Sequence, residues 1–160
     1  PGVGAFGDAV DGLHKRELTE LICDLARDGK PILGICLGAQ LLFEGSEEGS
    51  RDGLGLIKGR VYLFELAGQG LKVPHMGWNI VQPKQYGSLF KDDAKEHRFY
   101  FVHSYYMSCT ESEDVLATCH YGHDFTCCVS RGNVYGAQFH PEKSQATGLR
   151  MIENFFDWRP

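Results

Sequence analysis

The stretch from Pro31 to Phe43, PILGICLGAQLLF, limits most tightly what this chain can fold into. An apolar run of strand length meets a cysteine set between Gly34 and Gly38, and helix-compatible residues follow at once. This is the layout of a nucleophile elbow, a strand–turn–helix corner that lifts one reactive side chain above a parallel sheet. At so sharp a corner the strand and helix backbones nearly touch, so a Cβ at position 34 or 38 is expected to collide. A cysteine just before a helix N-terminus also feels the positive end of the helix dipole, which favours the thiolate. The plainer alternative, that Cys36 is a small buried hydrophobe in a glycine-rich strand, stays open on the elbow alone.

The surrounding chain reads as a parallel α/β unit. Leu18, Leu21, Ile22 and Leu25 recur at helical spacing between about 15 and 28, and predict one apolar stripe. Gly29 and Pro31 then end that helix. Residues 1–7, PGVGAFG, predict a glycine-rich loop whose backbone N–H groups could face an anion. Strand 31–35 and a helix near 37–44 follow, then a glycine-rich, charged loop over 45–56. Strands are expected at 60–66, 72–81 and 98–107, with a polar connection and a short amphipathic piece between 86 and 97. Met76 and Trp78 fall on one face of the second of these. Three short strands near 115–121, 125–130 and 134–139 predict an antiparallel meander. A last helix, about 146–157, is expected to bury Leu149, Ile152, Phe155 and Phe156.

Length and composition narrow the class. At 160 residues and 42% hydrophobic, the chain is expected to form a single domain, 1–160, with a sizeable core. A net charge of −5 without a basic block recommends neither nucleic acid nor an anionic membrane as partner. No apolar run reaches the ~18 residues of a membrane span, and no secretory signal opens the chain. Six cysteines at positions 23, 36, 109, 119, 127 and 128 show no tight framework and no C-x-x-C pair. They fit a reducing cytoplasm, with no metal centre and no cofactor expected; Cys119, His120 and His123 are spaced poorly for a ligand set. The opening, inside a loop motif and without methionine, predicts that N-terminal strands are missing.

The residues that complete the chemistry lie a hundred positions beyond the cysteine. A thiol nucleophile needs a base to take its proton and return it to a leaving group, and histidine titrates in the right range. Such a histidine needs an acceptor that fixes its tautomer. His140 and Glu142 stand two apart at a strand end, in QFHPEKS, with Pro141 stiffening the pair. Either residue alone is commonplace, as a satisfied histidine or a helix N-terminal charge.

Together, GICLGAQ around Cys36 and FHPE around His140 resemble the class I (triad) glutamine amidotransferases, which use Cys, His and Glu to release ammonia from glutamine. Three further stretches, PGVGAFGD from Pro1, VPHMGWN from Val73 and FYFVHSYY from Phe99, are similar to the glutaminase subunits of imidazole glycerol phosphate synthases within that family. The resemblance covers nearly the whole chain. It implies a flavodoxin-like layered fold with a mainly parallel central sheet plus antiparallel strands. It implies Cys36 as nucleophile, His140 as base then acid, and Glu142 as orienter. The oxyanion would take the N–H of Leu37 and one from Val3 or Gly4, after a rearrangement of that loop. Gln40 and Glu48, helped by the backbone of Ser104 and Tyr105, would hold the amino-acid end of glutamine. Met76, Trp78, Asn79 and Lys143 would face a (β/α)₈ cyclase subunit in a heterodimer that receives the ammonia in histidine biosynthesis. A glutaminase of another ammonia-channelling synthase, and an inactive fragment that only binds a partner, are the alternatives the residues leave open.

Overall fold

The structure is a computed structural model that describes residues 1–84, 86–87, 89–91 and 96–158. Its elements in chain order are α1 (Phe6–Lys15), α2 (Leu18–Arg27), β1 (Ile32–Ile35), α3 (Leu37–Gln40), β2 (Gly45–Ser46), β3 (Gly59–Leu63), β4 (His75–Pro83), β5 (Arg98–His103), β6 (Tyr105–Cys109), β7 (Val115–Tyr121), β8 (His123–Arg131), β9 (Val134–Ala137) and α4 (Gln145–Asp157). Within the polar connection expected over 86–97, positions 88 and 92–95 lie outside the described residues, and Leu89 and Phe90 are buried.

Helix α1 begins inside the expected loop 1–7, at Phe6, and runs on over a segment for which no element was expected. Its glycines hid the period, but Phe6, Val10 and Leu13 recur on one face and pack on Leu37 and Leu41. Asp8 in its first turn and His14 and Lys15 in its last complement the dipole. Helix α2 stops as expected: Gly29 takes φ 78°, its N–H reaches Ala26 O, and Lys30 N–H reaches Leu25 O. The predicted stripe on α2 is only part-covered, with Ala26 buried and Leu21 and Leu25 exposed.

The sheet runs β2-β3-β6-β8-β7-β4-β5, with β9 pairing both β8 and β1. The α/β class holds, but the sheet is mixed. Among the described residues, the parallel strand pairs are β1–β9 and β2–β3, with an isolated parallel bridge Gly2↔Cys36, and the other strand pairs are antiparallel. The strand expected over 98–107 is two strands broken at Ser104. β5 pairs with β4, and β6 pairs with β3, so the chain changes partners at that corner. The predicted meander forms as β7, β8 and β9, turning at Gly122 and Gly132.

One core cluster gathers Phe99, Phe101, Phe125 and Phe139, with the Phe99 and Phe139 rings stacked 4.0 Å apart. A second lies under the cysteine corner: Ala39, Leu42, Phe43, Ile57, Val61 and Met107. Helix α4 buries the expected face only in part: Ile152 and Phe155 are half-buried, Phe155 against the first core cluster. Gly148, Met151 and Asn154 point inward, whereas Leu149 is 57% and Phe156 69% exposed. The reason is the closeness of α4 to the preceding turn: a Cβ at 148 would run into Pro141 O, so that face must carry glycine. Asn154 donates to Leu89 O at 3.0 Å. Among the described residues, no helix is long and apolar enough to cross a membrane.

Candidate active site

Parallel pairing of β1 with β9, in the register Ile35↔Ala137, brings the ends of the two strands together, and Cys36 N–H donates to Ala137 O at 2.8 Å. The chain turns at Cys36 itself, with φ 53° and ψ −112°, a backbone conformation an L-residue holds only when its surroundings enforce it. They do: Gly34 lies so close to α3 that a Cβ there would stand 2.5 Å from Gly38 O and 2.8 Å from Ala39 Cα. The expected steric demand at Gly38 is absent, since its nearest atoms are Pro1 N and Cα at 3.8 and 3.9 Å. Only the strand side of the corner requires glycine.

Past β9 the chain stays pinned. Gln138 N–H donates to Cys127 O and His140 N–H to Tyr100 O, both at 2.9 Å. His140 Nδ1 is 2.7 Å from Glu142 Oε1. A carboxylate oxygen accepts, so the hydrogen sits on Nδ1, and a neutral ring then bears its lone pair on Nε2. That Nε2 is buried and has no hydrogen-bond partner among the described residues. Ser144, which sequence reading passed over, clamps the turn: its Oγ accepts from Tyr100 N–H at 3.0 Å and donates to His140 O at 2.6 Å.

The Cys36 sulfur lies 4.0 Å from Val102 O and 3.9 Å from Gln138 Nε2. Val102 and Tyr100 are two residues apart on β5, about 7 Å. The thiol and the backbone of His140 therefore approach neighbouring points of one strand, though no hydrogen bond joins thiol and imidazole among the described residues. The expected tilt toward the thiolate is reversed. Burial pushes the Cys36 thiol up, and nearby Glu142 adds to this, against the Leu37 N–H, Lys143 and Gln138, which lower it. The helix that was to supply the dipole is four residues long, too short to outweigh desolvation.

A cavity of about 310 Å³ opens beside the sulfur, lined by Val3, Gly4, Leu37, Gln40, Glu48, Ser104 and Tyr105 among others. The Leu37 N–H expected to face an oxyanion points instead at Gly2 O, 3.4 Å away, and Val3 is 79% exposed. Glu48 Oε2 accepts the Phe6 N–H at 2.8 Å, tying the 1–5 segment to the cavity wall. Gln40 Nε2 donates to Tyr105 O at 3.2 Å and to Gln138 Oε1 at 3.1 Å. With both amide hydrogens engaged, Gln40 can offer a ligand only its oxygen. Ser104 O already accepts from Phe64 N–H. A somewhat larger cavity, about 380 Å³ between Phe90, Phe99 and α4, contains none of the predicted residues.

Met76, Trp78 and Ile80 are exposed together on one face of β4, as the period predicts, and Lys143 is exposed on the turn before α4. Asn79 does not join them. Its side chain turns to the opposite face, 3.2 Å from His75 Nε2 and 2.9 Å from His120 O. His120 pairs with Asp124, and among the described residues no cluster of three or more His, Cys, Asp or Glu could hold a metal. Sequence reading also missed Gln138, wholly buried between Gln40 and Cys36, whose only signal was a polar residue inside the apolar run 134–139.

The sequence profile of the glutamine amidotransferase class-I family matches residues 1–158. The imidazole glycerol phosphate synthase subunit HisH of Sulfurimonas denitrificans is 51% identical over 162 residues, covering 99% of this chain and 78% of that protein. The subunit of the same name in Bacillus licheniformis is 52% identical over 159 residues, covering 97% and 74%. At the level of fold, PurLQS of Thermotoga maritima superposes with a TM-score of 0.67 at 20% identity, over 88% of this chain and 67% of that one. A glutamine amidotransferase of the same organism gives 0.61 at 22%, over 98% and 60%. From the cysteine corner to the histidine turn, and across nearly all its length, the chain belongs to the glutamine amidotransferase class-I family, within its imidazole glycerol phosphate synthase HisH branch.

Proposed function

We propose that this glutamine amidotransferase works through Cys36, His140 and Glu142 and hands its ammonia to a cyclase subunit of (β/α)₈ form. His140 Nε2 takes the thiol proton as Sγ attacks the side-chain amide carbon of glutamine. The tetrahedral adduct collapses when His140 returns that proton to the departing nitrogen, leaving a thioester and ammonia. Water, deprotonated by His140 Nε2, then attacks the thioester, and the proton passes from Nε2 to the departing sulfur, which releases glutamate and restores the thiol. The observation that carries this reading is the 2.7 Å bond from His140 Nδ1 to Glu142, which leaves a buried, unpartnered Nε2 at the strand end that adjoins Cys36. The raised thiol pKa agrees with a proton that leaves in concert with attack rather than beforehand.

The oxyanion site would be the Leu37 N–H together with the N–H of Val3 or Gly4. The Gly2 carbonyl now opposite Leu37 would have to turn away first, and glycines on both sides of Val3 make that rotation sterically cheap. Each donor so delivered lowers the barrier by about 3 kcal/mol. Gln40 Oε1 and Glu48 suit the α-ammonium end of glutamine. The exposed Met76–Trp78 face and Lys143 suit the cyclase contact, across which ammonia would pass before water could protonate it. A reducing cytoplasm suits the six free cysteines. The test is glutamate release in the presence of the cyclase and its ligand. Cys36→Ala should lower it more than about 1,000-fold and Glu142→Gln about 100-fold. Retention of activity by Cys36→Ala would end the proposal.

A further inference from the structure

From the cavity wall, where His103 is itself a lining residue, a line of polar side chains that the amide chemistry leaves unused runs back into the sheet. His75 on β4 and His103 on β5 are register partners, both buried, with His75 Nδ1 3.0 Å from His103 Nε2. His103 Nδ1 lies 2.7 Å from Tyr105 O. A carbonyl only accepts, so this nitrogen carries the hydrogen and His103 Nε2 is the acceptor of a neutral ring. His75 Nδ1 must then donate, which leaves His75 Nε2 to accept from Asn79 Nδ2 at 3.2 Å. Three hydrogen bonds thus point one way, from Asn79 through both rings to the Tyr105 carbonyl. Burial holds both rings neutral, pushing His75 down to about 4 and His103 to about 3. The His75 ring is stacked between Phe101 and Tyr121, at 4.7 and 4.0 Å between centroids, so it cannot turn over freely.

The line ends at the cavity wall. Tyr105 O takes its second hydrogen from Gln40 Nε2, whose other hydrogen goes to Gln138 Oε1. We propose that His75 and His103 are positioning residues for glutamine binding, which hold the Tyr105 carbonyl so that the Gln40 amide is locked with its oxygen toward the cavity. The inference rests on the cavity being the glutamine site. Without the His103 hydrogen, Tyr105 O loses its shorter bond, and the carbonyl is free to shift and to carry the Gln40 amide it anchors away from its place in the cavity wall. A substrate ammonium meets its acceptor only part of the time, so binding weakens while the chemistry at Cys36 is untouched.

Two near-isosteric variants separate positioning from mere packing. His103→Asn keeps an N–H close to the Nδ1 position, and His103→Gln keeps a polar atom near Nε2 but removes that donor. In the cyclase complex, His103→Gln should raise the KM for glutamine about tenfold, the worth of one hydrogen bond, with kcat within about twofold. His103→Asn should stay within about threefold of the parent. Alkylation of Cys36 by diazo-oxonorleucine, which must bind as glutamine does, should slow in parallel with KM, and alkylation by iodoacetamide should not. Equal KM values in the two variants, or equal slowing with both reagents, would overturn the proposal. A parent complex whose Cys36 ignores diazo-oxonorleucine removes the glutamine reading itself, and the inference falls with it.

Discussion

Replacing Gly34 by alanine tests the cysteine corner most directly. The added Cβ would stand 2.5 Å from Gly38 O, 2.7 Å from Gly38 C and 2.8 Å from Ala39 Cα, all backbone atoms of α3. Ordinary C···O contact begins near 3.4 Å, so α3 must withdraw by about 0.9 Å. Overpacking costs about 1–3 kcal/mol where side chains can adjust, and here none is available to give way. A loss of about 3 kcal/mol is expected. The same displacement carries the Leu37 N–H away from the sulfur, and an error near 1 Å in such a site slows reaction about 100-fold. Gly38→Ala is the control, because its nearest neighbours are at 3.8 Å and alanine favours the helix by up to about 1 kcal/mol. Urea midpoints and the rate of Cys36 labelling by diazo-oxonorleucine read both effects. If Gly34→Ala matched Gly38→Ala in stability and labelling, the steric account of the corner would be wrong.

Ser144→Ala should destabilise the fold by about 1–3 kcal/mol in urea, because the Tyr100 N–H is left without its acceptor, and should loosen the His140 turn enough to depress glutamate release. Stability should also fall on both sides of neutrality. His75 and His103 have folded pKa values of about 4 and 3, below the unfolded value near 6.5, so the unfolded chain binds the extra protons. Their contribution is present above pH 6.5 and is lost at up to about 1.4 kcal/mol per pH unit for each ring as pH drops toward 4. Cys109 and Cys119, pushed up to about 12 by burial, act in the opposite sense: above pH ~9 the unfolded thiols ionise and the buried ones do not, so stability declines with rising pH. Urea midpoints measured from pH 4.5 to 10 should trace a dome, and a flat profile below pH 6.5 would contradict the buried neutral rings.

Much of the architecture could be read from short-range pattern. Gly29 as a helix stop, the β1 strand, the meander of β7 to β9 and the common face of Met76 and Trp78 each depend on a few consecutive residues, whereas the exposure of that face was decided by the fold. Where the reading failed, distant contacts had overruled local preference. Helix α1 formed through a glycine-rich segment because Phe6 and Val10 found Leu37 and Leu41, and the inward face of α4 was chosen by Gly148 against Pro141 rather than by its largest apolar residues. The break at Ser104 leaves no local mark, since β5 and β6 differ only in which strand each one pairs with.

By itself the order of residues determined which groups are available for chemistry: a cysteine on a strained corner, a histidine with a carboxylate two positions on, and the family to which these belong. Tertiary structure decided the state in which those groups rest. The thiol's pKa is pushed up because strands far along the chain desolvate it, the Leu37 N–H is occupied by Gly2, and Gln40 is oriented through Tyr105 and Gln138. Motif and period act over a handful of neighbours, whereas desolvation and hydrogen-bond direction depend on which atoms close the cavity, and here those atoms lie some 35 to 102 positions away along the chain.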